Sequence, residues 1–291
     1  MQKLVAVVGL GRMGQAIASR LLHEGCQVTV SNRTLAAGQA LAARGARIAA
    51  TPADAARETG VALSMLTNED AVRDVCFGPT GLLATLAGGV HLSMSTLSPA
   101  AAASLAAAHA EAGVTYVSAP VQGRPAMAEA GQLVAWVSGP FPAEARAVLE
   151  IVARQVIFLG PDVQHAAAAK LALNLLMNAN IELFAEAFAY AQAHGVDVAR
   201  FGQGLTESAF SAPLFKAIAG ALAAADDTAK GSDIDVSRKD LGLLLAHGHR
   251  NLSLPVAVAL ENAYAAAAAR GWGELDPIAV RRLLQSSEGT P

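Results

Sequence analysis

The sequence predicts an α/β protein in which a doubly wound, mostly parallel sheet precedes an all-helical C-terminal domain. Short apolar runs alternate with helical or turn segments up to residue 160, and such βα alternation is typical of a parallel sheet covered by helices on both faces. After Gly160-Pro161-Asp162 the pattern changes, and Ala, Leu and Met recur at helical spacing to the C-terminus. We therefore expect one domain over residues 1–162 and a second over residues 163–291.

The predicted strands are short runs rich in β-branched and apolar residues. Turn residues or helical segments separate each run from the next, and this bounds the strands. Because parallel strands need a crossover between them, the intervening segments are expected to cross over the sheet as helices. The runs are Leu4–Val8, Val28–Ser31, Arg47–Ala49, Val61–Leu66, Val90–Met94, Thr115–Val117, Leu133–Val137 and Gln155–Leu159.

A glycine-rich loop lies between the first predicted strand and the amphipathic stretch 15–24 that follows it. In a βαβ unit the first glycine of such a loop permits a tight turn, and the second lets backbone N–H groups approach a pyrophosphate. The third glycine allows the helix to pack closely on the strand. The loop predicts a dinucleotide site of the Rossmann type, with contacts from Gly9, Leu10, Gly11, Arg12, Met13 and Gly14.

The residues after the second predicted strand bear on the choice of cofactor. NAD-selective proteins carry a carboxylate about 20 residues past the loop, where it accepts hydrogen bonds from the ribose 2′-hydroxyl. This chain has Asn32 at that position, followed by Arg33 and Thr34. A guanidinium fork and a hydroxyl suit a 2′-phosphate, so we expect NADP(H) to be preferred over NAD(H).

Composition disfavours several function classes. The net charge of −3 without a basic cluster disfavours nucleic-acid binding. The most apolar stretch, residues 165–190, contains a lysine, three asparagines and two glutamates, so a membrane span is not expected. Cys26 and Cys76 have no CxxC spacing and no signal-peptide pattern precedes them, which predicts a reducing, cytoplasmic location.

The second domain is predicted to open with a long helix over Val163–His194. At 1.5 Å per residue it extends roughly 45 Å, and we expect it to pass through the domain interface into a partner subunit. Polar residues recur along it at intervals of four, so neighbours share one face. The ammonium of Lys170 has Ala and Leu as its sequence neighbours, so it either extends to water or lines a polar cleft. The polar residues are Lys170, Asn174, Asn178 and Glu182.

The chain resembles the β-hydroxyacid dehydrogenase family over nearly its full length. That family includes 3-hydroxyisobutyrate dehydrogenase, glyoxylate and succinic semialdehyde reductases and tartronate semialdehyde reductase, with 6-phosphogluconate dehydrogenase as a more distant relative. The resembling segments are the glycine loop, Asn32-Arg33-Thr34, Met65-Leu66-Thr67, Ser95-Thr96 before Pro99, Ala119-Pro120-Val121-Gln122-Gly123, Lys170 with Asn174, and Arg238-Lys239-Asp240.

The resemblance implies an oxidoreductase that transfers hydride between the nicotinamide and a small β-hydroxy acid or its semialdehyde or keto form. It implies Lys170 as the general acid and base, Asn174 as the amide that orients the substrate, and Lys239 near the nicotinamide. A homodimer or homotetramer is expected. Further cofactor contacts are implied for Met65, Leu66, Thr67 and Thr96, the last also touching substrate.

The substrate loop departs from the family pattern. The family has Asp-Ala-Pro-Val-Ser-Gly-Gly, whereas this chain has Gln122 for the serine and Arg124 for the last glycine. Gln122 still offers an amide N–H, and Arg124 either pairs with an anionic substrate group or points into solvent. The predicted substrate contacts in this loop are Val121, Gln122, Gly123 and Arg124.

Two other functions and a metal site are less compatible with the sequence. An imine reductase on the same fold and a non-catalytic NADP-binding sensor are the alternatives, and the Lys170 and Asn174 pair argues against both. No metal site is expected: His247 and His249 point in different directions on a predicted helix. Asp233, Asp235 and Asp240 are expected in a solvated turn and a helix start.

Overall fold

The computed structural model describes residues 3–228, 232–247 and 252–284. The chain divides into two compact units, Met1–Lys170 and Leu171–Pro291. The strands, all in the first unit, are β1 (Leu4–Val8), β2 (Gln27–Ser31), β3 (Arg47–Ile48), β4 (Val61–Ser64), β5 (Val90–Ser93), β6 (Thr115–Ser118), β7 (Val121–Gln122), β8 (Leu133–Val137) and β9 (Ala153–Phe158).

Helices connect most of these strands. The described residues also contain short 3-10 turns at Leu35–Gly38, Leu82–Ala84 and Pro277–Val280. The helices are α1 (Arg12–His23), α2 (Gln39–Ala42), α3 (Pro52–Ala56), α4 (Glu69–Cys76), α5 (Pro99–Glu111), α6 (Pro125–Glu129), α7 (Ala143–Val152), α8 (Gln164–Ala193), α9 (Val198–Glu207), α10 (Pro213–Ala223), α11 (Ile234–Ala246), α12 (Pro255–Ala269) and α13 (Arg281–Leu284).

Six strands form one parallel sheet in the order β3-β2-β1-β4-β5-β6. The chain starts in the middle, moves outward through β2 and β3, and then crosses to β4, β5 and β6 on the other side of β1. This reversal defines a doubly wound sheet, so the predicted fold class of the N-terminal part is confirmed.

Both faces of this sheet are buried. Along β1, Val5 and Val7 belong to one apolar cluster, whereas Ala6 and Val8 belong to another. Because successive side chains point to opposite faces of a strand, each cluster covers one side of the sheet. This two-sided burial explains why the strands are continuous apolar runs without polar alternation.

The last two predicted strands do not join the six-stranded sheet. They form β8 and β9 of a second sheet, in which β8 pairs antiparallel with β7 and parallel with β9. An isolated bridge between Ser118 and Ser138, the residue after β8, links this sheet to β6. Pro120 has no N–H group, so regular strand pairing ends after β6. The Pro120 carbonyl oxygen accepts a hydrogen bond from the Trp136 N–H at 2.9 Å. The two-residue β7 was not predicted, because it is too short to show a period.

After Phe158 the described residues form no strand, which confirms the predicted helical C-terminal part. The long helix α8 was predicted within one residue at each end. In the second unit, buried residues of α8, α10, α11 and α12, among them Phe188, Ile218, Leu241 and Tyr264, form a common core. No helix in the described part of the chain is long and apolar enough to cross a membrane.

Candidate active site

The glycine loop follows β1 at the carboxyl edge of the six-stranded sheet. Gly9 has a φ of +92°, a backbone conformation that favours glycine. A Cβ at Gly9 would collide with the Met65 carbonyl oxygen, and one at Gly14 would collide with the Gly9 carbonyl oxygen. These two glycines are therefore required by the packing of the loop itself.

Gly11 differs from its neighbours because a Cβ there would meet no atom within 4 Å. It is the N-cap residue of α1, and no side chain caps this helix end. The first-turn N–H groups of a helix lack intrahelical partners and carry partial positive charge, so they favour a bound anion. An open approach to uncapped N–H groups fits the pyrophosphate of a dinucleotide.

Asn32 holds the glycine loop against the end of β2. Its side-chain oxygen accepts from the Leu10 N–H at 3.0 Å, and its side-chain nitrogen donates to the Thr34 carbonyl at 3.0 Å. Both ends of the amide are thus engaged within the protein. Arg33 and Thr34, by contrast, are exposed at the same strand end.

The ends of β4 and β5 lie beside this loop. The Met65 N–H donates to the Val8 carbonyl at 3.0 Å, and the Leu66 N–H donates to the Ser95 hydroxyl at 2.8 Å. Thr67 is exposed and Thr96 is half-buried. Because parallel strands end at one edge, the predicted contacts at residues 65–67 and 96 are gathered at the edge that carries the glycine loop.

The predicted substrate loop follows β6 at the same edge. Val121 and Gln122 form β7, which pairs with Ala135 and Val134 of β8. Gly123 has a φ of +142° and packs so closely on Leu133 that a Cβ would lie 2.5 Å from its Cδ2 atom. Arg124 is exposed and immediately precedes α6. The glycine therefore turns the chain out of β7 and leaves the arginine at the surface of this unit.

The first turn of α8 is tied to the end of β6. The Ser138 hydroxyl accepts from the Ala166 N–H at 2.9 Å and donates to the Val163 carbonyl at 3.0 Å. Ser138 in turn exchanges backbone hydrogen bonds with Ser118, the last residue of β6. Half-buried Lys170 lies one helical turn after Ala166. The hydrogen bonds therefore anchor the helix that carries Lys170 to the edge where β6 ends.

Within the second unit, Asp240 joins two predicted site residues. Its carboxylate accepts from the Asn174 side-chain amide at 2.6 Å and lies 2.8 Å from the Lys239 ammonium. The Asp240 side chain is only 7% exposed. A charge-assisted hydrogen bond to a buried carboxylate fixes the amide group firmly. Asn174 and Lys239 are thus brought together through a residue that was not predicted to belong to the site.

Two aspartates behave differently from one another on α11. Asp233 caps the helix, accepting from the Val236 N–H at 2.8 Å, so the predicted helix start is confirmed. Asp240 is buried in the interior of the helix, so its assignment to a solvated turn or helix start was wrong. One feature of the sequence indicates that Asp240 is buried: its carboxylate comes directly after a lysine, inside an apolar helix pattern. His247 is exposed after α11, and His249 lies outside the described residues.

Two family models match the chain in succession. The NAD binding domain of 6-phosphogluconate dehydrogenase matches residues 4–160. The model described as NAD-binding of NADP-dependent 3-hydroxyisobutyrate dehydrogenase matches residues 165–284. The two matches together cover both structural units.

Individual relatives agree with these models. The chain is 34% identical over 276 residues to the uncharacterized oxidoreductase YfjR of Bacillus subtilis, covering 94% of this chain and 96% of that protein. It is 30% identical over 280 residues to glyoxylate/succinic semialdehyde reductase 1 of Arabidopsis thaliana, with 95% and 96% covered. The crystal structure of 3-hydroxyisobutyrate dehydrogenase from Salmonella typhimurium superposes with a TM-score of 0.87 at 27% identity, covering 97% of this chain and all of that one. This chain belongs to the β-hydroxyacid dehydrogenase family and is an NAD(P)-dependent oxidoreductase acting on hydroxy or keto groups.

Proposed function

We propose that the protein uses NADP(H) to interconvert a small β-hydroxy acid with its semialdehyde or keto form, with Lys170 as general acid and base. The observation that carries this proposal is the anchoring of the first turn of α8, through Ser138, to the carboxyl end of β6. Ligands of open α/β sheets bind outside this edge. The anchored turn leads directly to Lys170.

The reduced cofactor, when bound, supplies the hydride for the carbonyl carbon of the substrate. Glycine-loop N–H groups and the first turn of α1 hold the pyrophosphate, and Met65, Leu66, Thr67 and Thr96 line the nicotinamide end. In the reducing direction the Lys170 ammonium donates a proton to the carbonyl oxygen, which prevents formation of a free alkoxide. In the oxidising direction the neutral amine removes the proton from the hydroxyl group.

Asn174 orients the substrate in this proposal. Because Asp240 accepts one of its N–H groups, the side chain retains a carbonyl oxygen and a second N–H for other partners. Gln122 and Arg124 of the substrate loop suit the carboxylate that these substrates carry. Residues 1–162 would bind NADP, and residues 163–291 would supply substrate contacts and the subunit interface.

We further propose a homodimer or homotetramer in the cytoplasm. The exposed apolar side chains of α8 support the assembly: Leu176, Leu183 and Tyr190 are 61%, 63% and 70% exposed in the single chain. Apolar surface of this extent on one helix is typical of subunit contacts. Light scattering of the purified protein tests the assembly.

The decisive experiment for the chemistry is Lys170→Met. We expect turnover to fall by about 10³-fold or more, the upper part of the range for general acid–base catalysis, while NADPH still binds with nearly unchanged affinity. Lys216→Met, on an exposed position of α10, is the matched control and should keep full activity. Unchanged turnover in Lys170→Met removes this lysine from the mechanism.

A substrate panel separates the alternatives. Succinic semialdehyde, glyoxylate and a cyclic imine are offered with NADPH and with NADH in parallel. Faster reduction of the carbonyl acids supports the proposal, whereas faster reduction of the imine identifies an imine reductase. Tight NADPH binding without turnover of any carbonyl or hydroxy acid indicates a non-catalytic sensor.

A further inference from the structure

A cluster of one thiol and two imidazoles is buried in the first unit, apart from every residue proposed for catalysis. Cys76 ends α4, His91 lies in β5, and His109 lies in α5. All three residues have no exposed surface. Cys76 Sγ is 3.9 Å from His91 Nδ1, His91 Nδ1 is 2.8 Å from His109 Nε2, and the three ligand atoms all lie within 4.8 Å of one another.

Each imidazole is oriented by a second contact on its other nitrogen. His109 Nδ1 lies 2.7 Å from the Leu105 carbonyl oxygen, and because a carbonyl only accepts, Nδ1 carries the proton and Nε2 presents its lone pair to the cluster. His91 Nε2 lies 2.9 Å from the Ser64 hydroxyl, so Nδ1 faces the cluster. Histidines that bind metals are oriented in this way, with the remote nitrogen bonded to a carbonyl or other polar group.

Two hydroxyl groups lie next to the cluster. Tyr116 is paired with His91 across the β5–β6 register, and its ring meets both imidazole rings edge-on. The Tyr116 hydroxyl and the Ser93 hydroxyl are buried beside the cluster and contact each other. The cluster therefore has further polar side chains as neighbours on β5 and β6.

We propose that Cys76, His91 and His109 form a structural site for a transition-metal ion of the Zn²⁺ class. Nitrogen and sulfur donors suit this ion, at about 2.0–2.1 Å for nitrogen and about 2.3 Å for sulfur. Donor atoms at these radii are roughly 3.3–3.8 Å apart in a tetrahedral site. The Cys76–His91 spacing of 3.9 Å is already close to this value, whereas the two ring nitrogens must move apart.

Binding needs no oxidant or reductant. The Cys76 thiol releases its proton to solvent as the sulfur–metal bond forms. Without metal, His91 Nδ1 carries the proton that lies between the two rings. When the metal binds, Nδ1 loses this proton and Nε2 is protonated instead, so that Nε2 donates to the Ser64 hydroxyl. The ion would join α4, β5 and α5, and since the site is fully enclosed, it would be taken up during folding. The site is independent of the proposed Lys170 chemistry.

Refolding the complete protein with Zn²⁺, with Co²⁺ or with a chelator tests the site. We expect one equivalent of metal per chain, a higher urea midpoint with Zn²⁺ than with chelator, and a thiolate-to-cobalt charge-transfer band. Cys76→Ser should remove the band. Cys26→Ser, which changes the other buried cysteine in a different apolar cluster, is the matched control and should keep it.

Direct metal analysis of the wild-type chain covers the case in which Cys76→Ser does not fold. Less than about one-tenth of an equivalent after refolding in excess Zn²⁺ would overturn the proposal. So would a cobalt band that persists in Cys76→Ser, because the ion would then be bound elsewhere. Either result would leave the cluster as a set of hydrogen-bonded side chains within the core.

Discussion

The Asn174 side-chain amide donates a hydrogen bond of 2.6 Å to the Asp240 carboxylate, which also lies 2.8 Å from the Lys239 ammonium. One buried carboxylate therefore fixes two of the polar groups proposed for substrate and cofactor contact. The link joins α8 to α11 through side chains 66 residues apart in sequence. It makes Asp240 a positioning residue for both neighbours.

Replacing that carboxylate should affect activity through its neighbours. In Asp240→Asn the charge that holds Lys239 is lost and the amide contact to Asn174 is weakened. We expect kcat/KM of the folded variant to fall about 10- to 100-fold, together with a lower unfolding midpoint, because the buried ion pair with Lys239 is lost. Asp235→Asn, at an exposed position in the first turn of the same helix, is the control. Equal activity in both variants contradicts a positioning role.

The cofactor preference should depend on Arg33. Loss of its guanidinium in Arg33→Gln removes a charge-assisted contact to the 2′-phosphate, which NADH lacks. We expect KM for NADPH to rise about tenfold, as for a contact of about 1.4 kcal/mol, and KM for NADH to stay unchanged. Arg57→Gln, exposed elsewhere in the same unit, provides the comparison. A parallel change for both cofactors argues against 2′-phosphate recognition.

Two glycines of the same loop should respond in opposite ways to alanine. In Gly14→Ala the new Cβ collides with the Gly9 carbonyl, so we expect a loss of about 2–4 kcal/mol in unfolding free energy. In Gly11→Ala the Cβ meets open space, so stability should change by less than about 1 kcal/mol. NADPH affinity should nevertheless fall at Gly11, because the methyl group occupies the proposed approach of the pyrophosphate. Urea unfolding and cofactor titration separate the two effects.

A half-buried carboxyl on α8 should make stability depend on pH. Burial raises the pKa of Glu182 to about 7 from its ordinary 4.5, and the nearby Glu186 adds to the shift. The folded chain therefore retains a proton that the unfolded chain has lost. The stability from this group is fully present below pH 4.5 and is lost as pH rises towards 7.

Glu182→Gln should remove this dependence. We expect wild type and variant to be equally stable near pH 4.5, and the variant to be more stable at pH 8. The difference should be about 1 kcal/mol, because solvent screening at a partly exposed group reduces the effect of the full shift. Urea midpoints across this pH range measure it, with exposed Glu274→Gln as control. Identical slopes for wild type and Glu182→Gln would contradict the shifted pKa.

The local sequence pattern was enough to predict most of the fold. The apolar run at Leu4–Val8, the glycine loop and the helix after it are contiguous in sequence, and each residue's conformation is set by near neighbours. The 30-residue α8 was predicted closely for the same reason, since helical periodicity is strongest over many turns. The second sheet was missed because β7 has two residues and depends on β8 for its existence.

The sequence by itself determined the strand–loop–helix unit, the parallel sheet, the helical second half and the family, because these follow from periodicity and contiguous motifs. Only the tertiary structure decided that Asp240 is buried between Asn174 and Lys239, that Asn32 is engaged with Leu10, and that Cys76, His91 and His109 converge. Apart from the contact between the neighbours Lys239 and Asp240, those relationships join residues 15 to 66 positions apart. Pairing at that range depends on how whole elements pack, which no local pattern encodes.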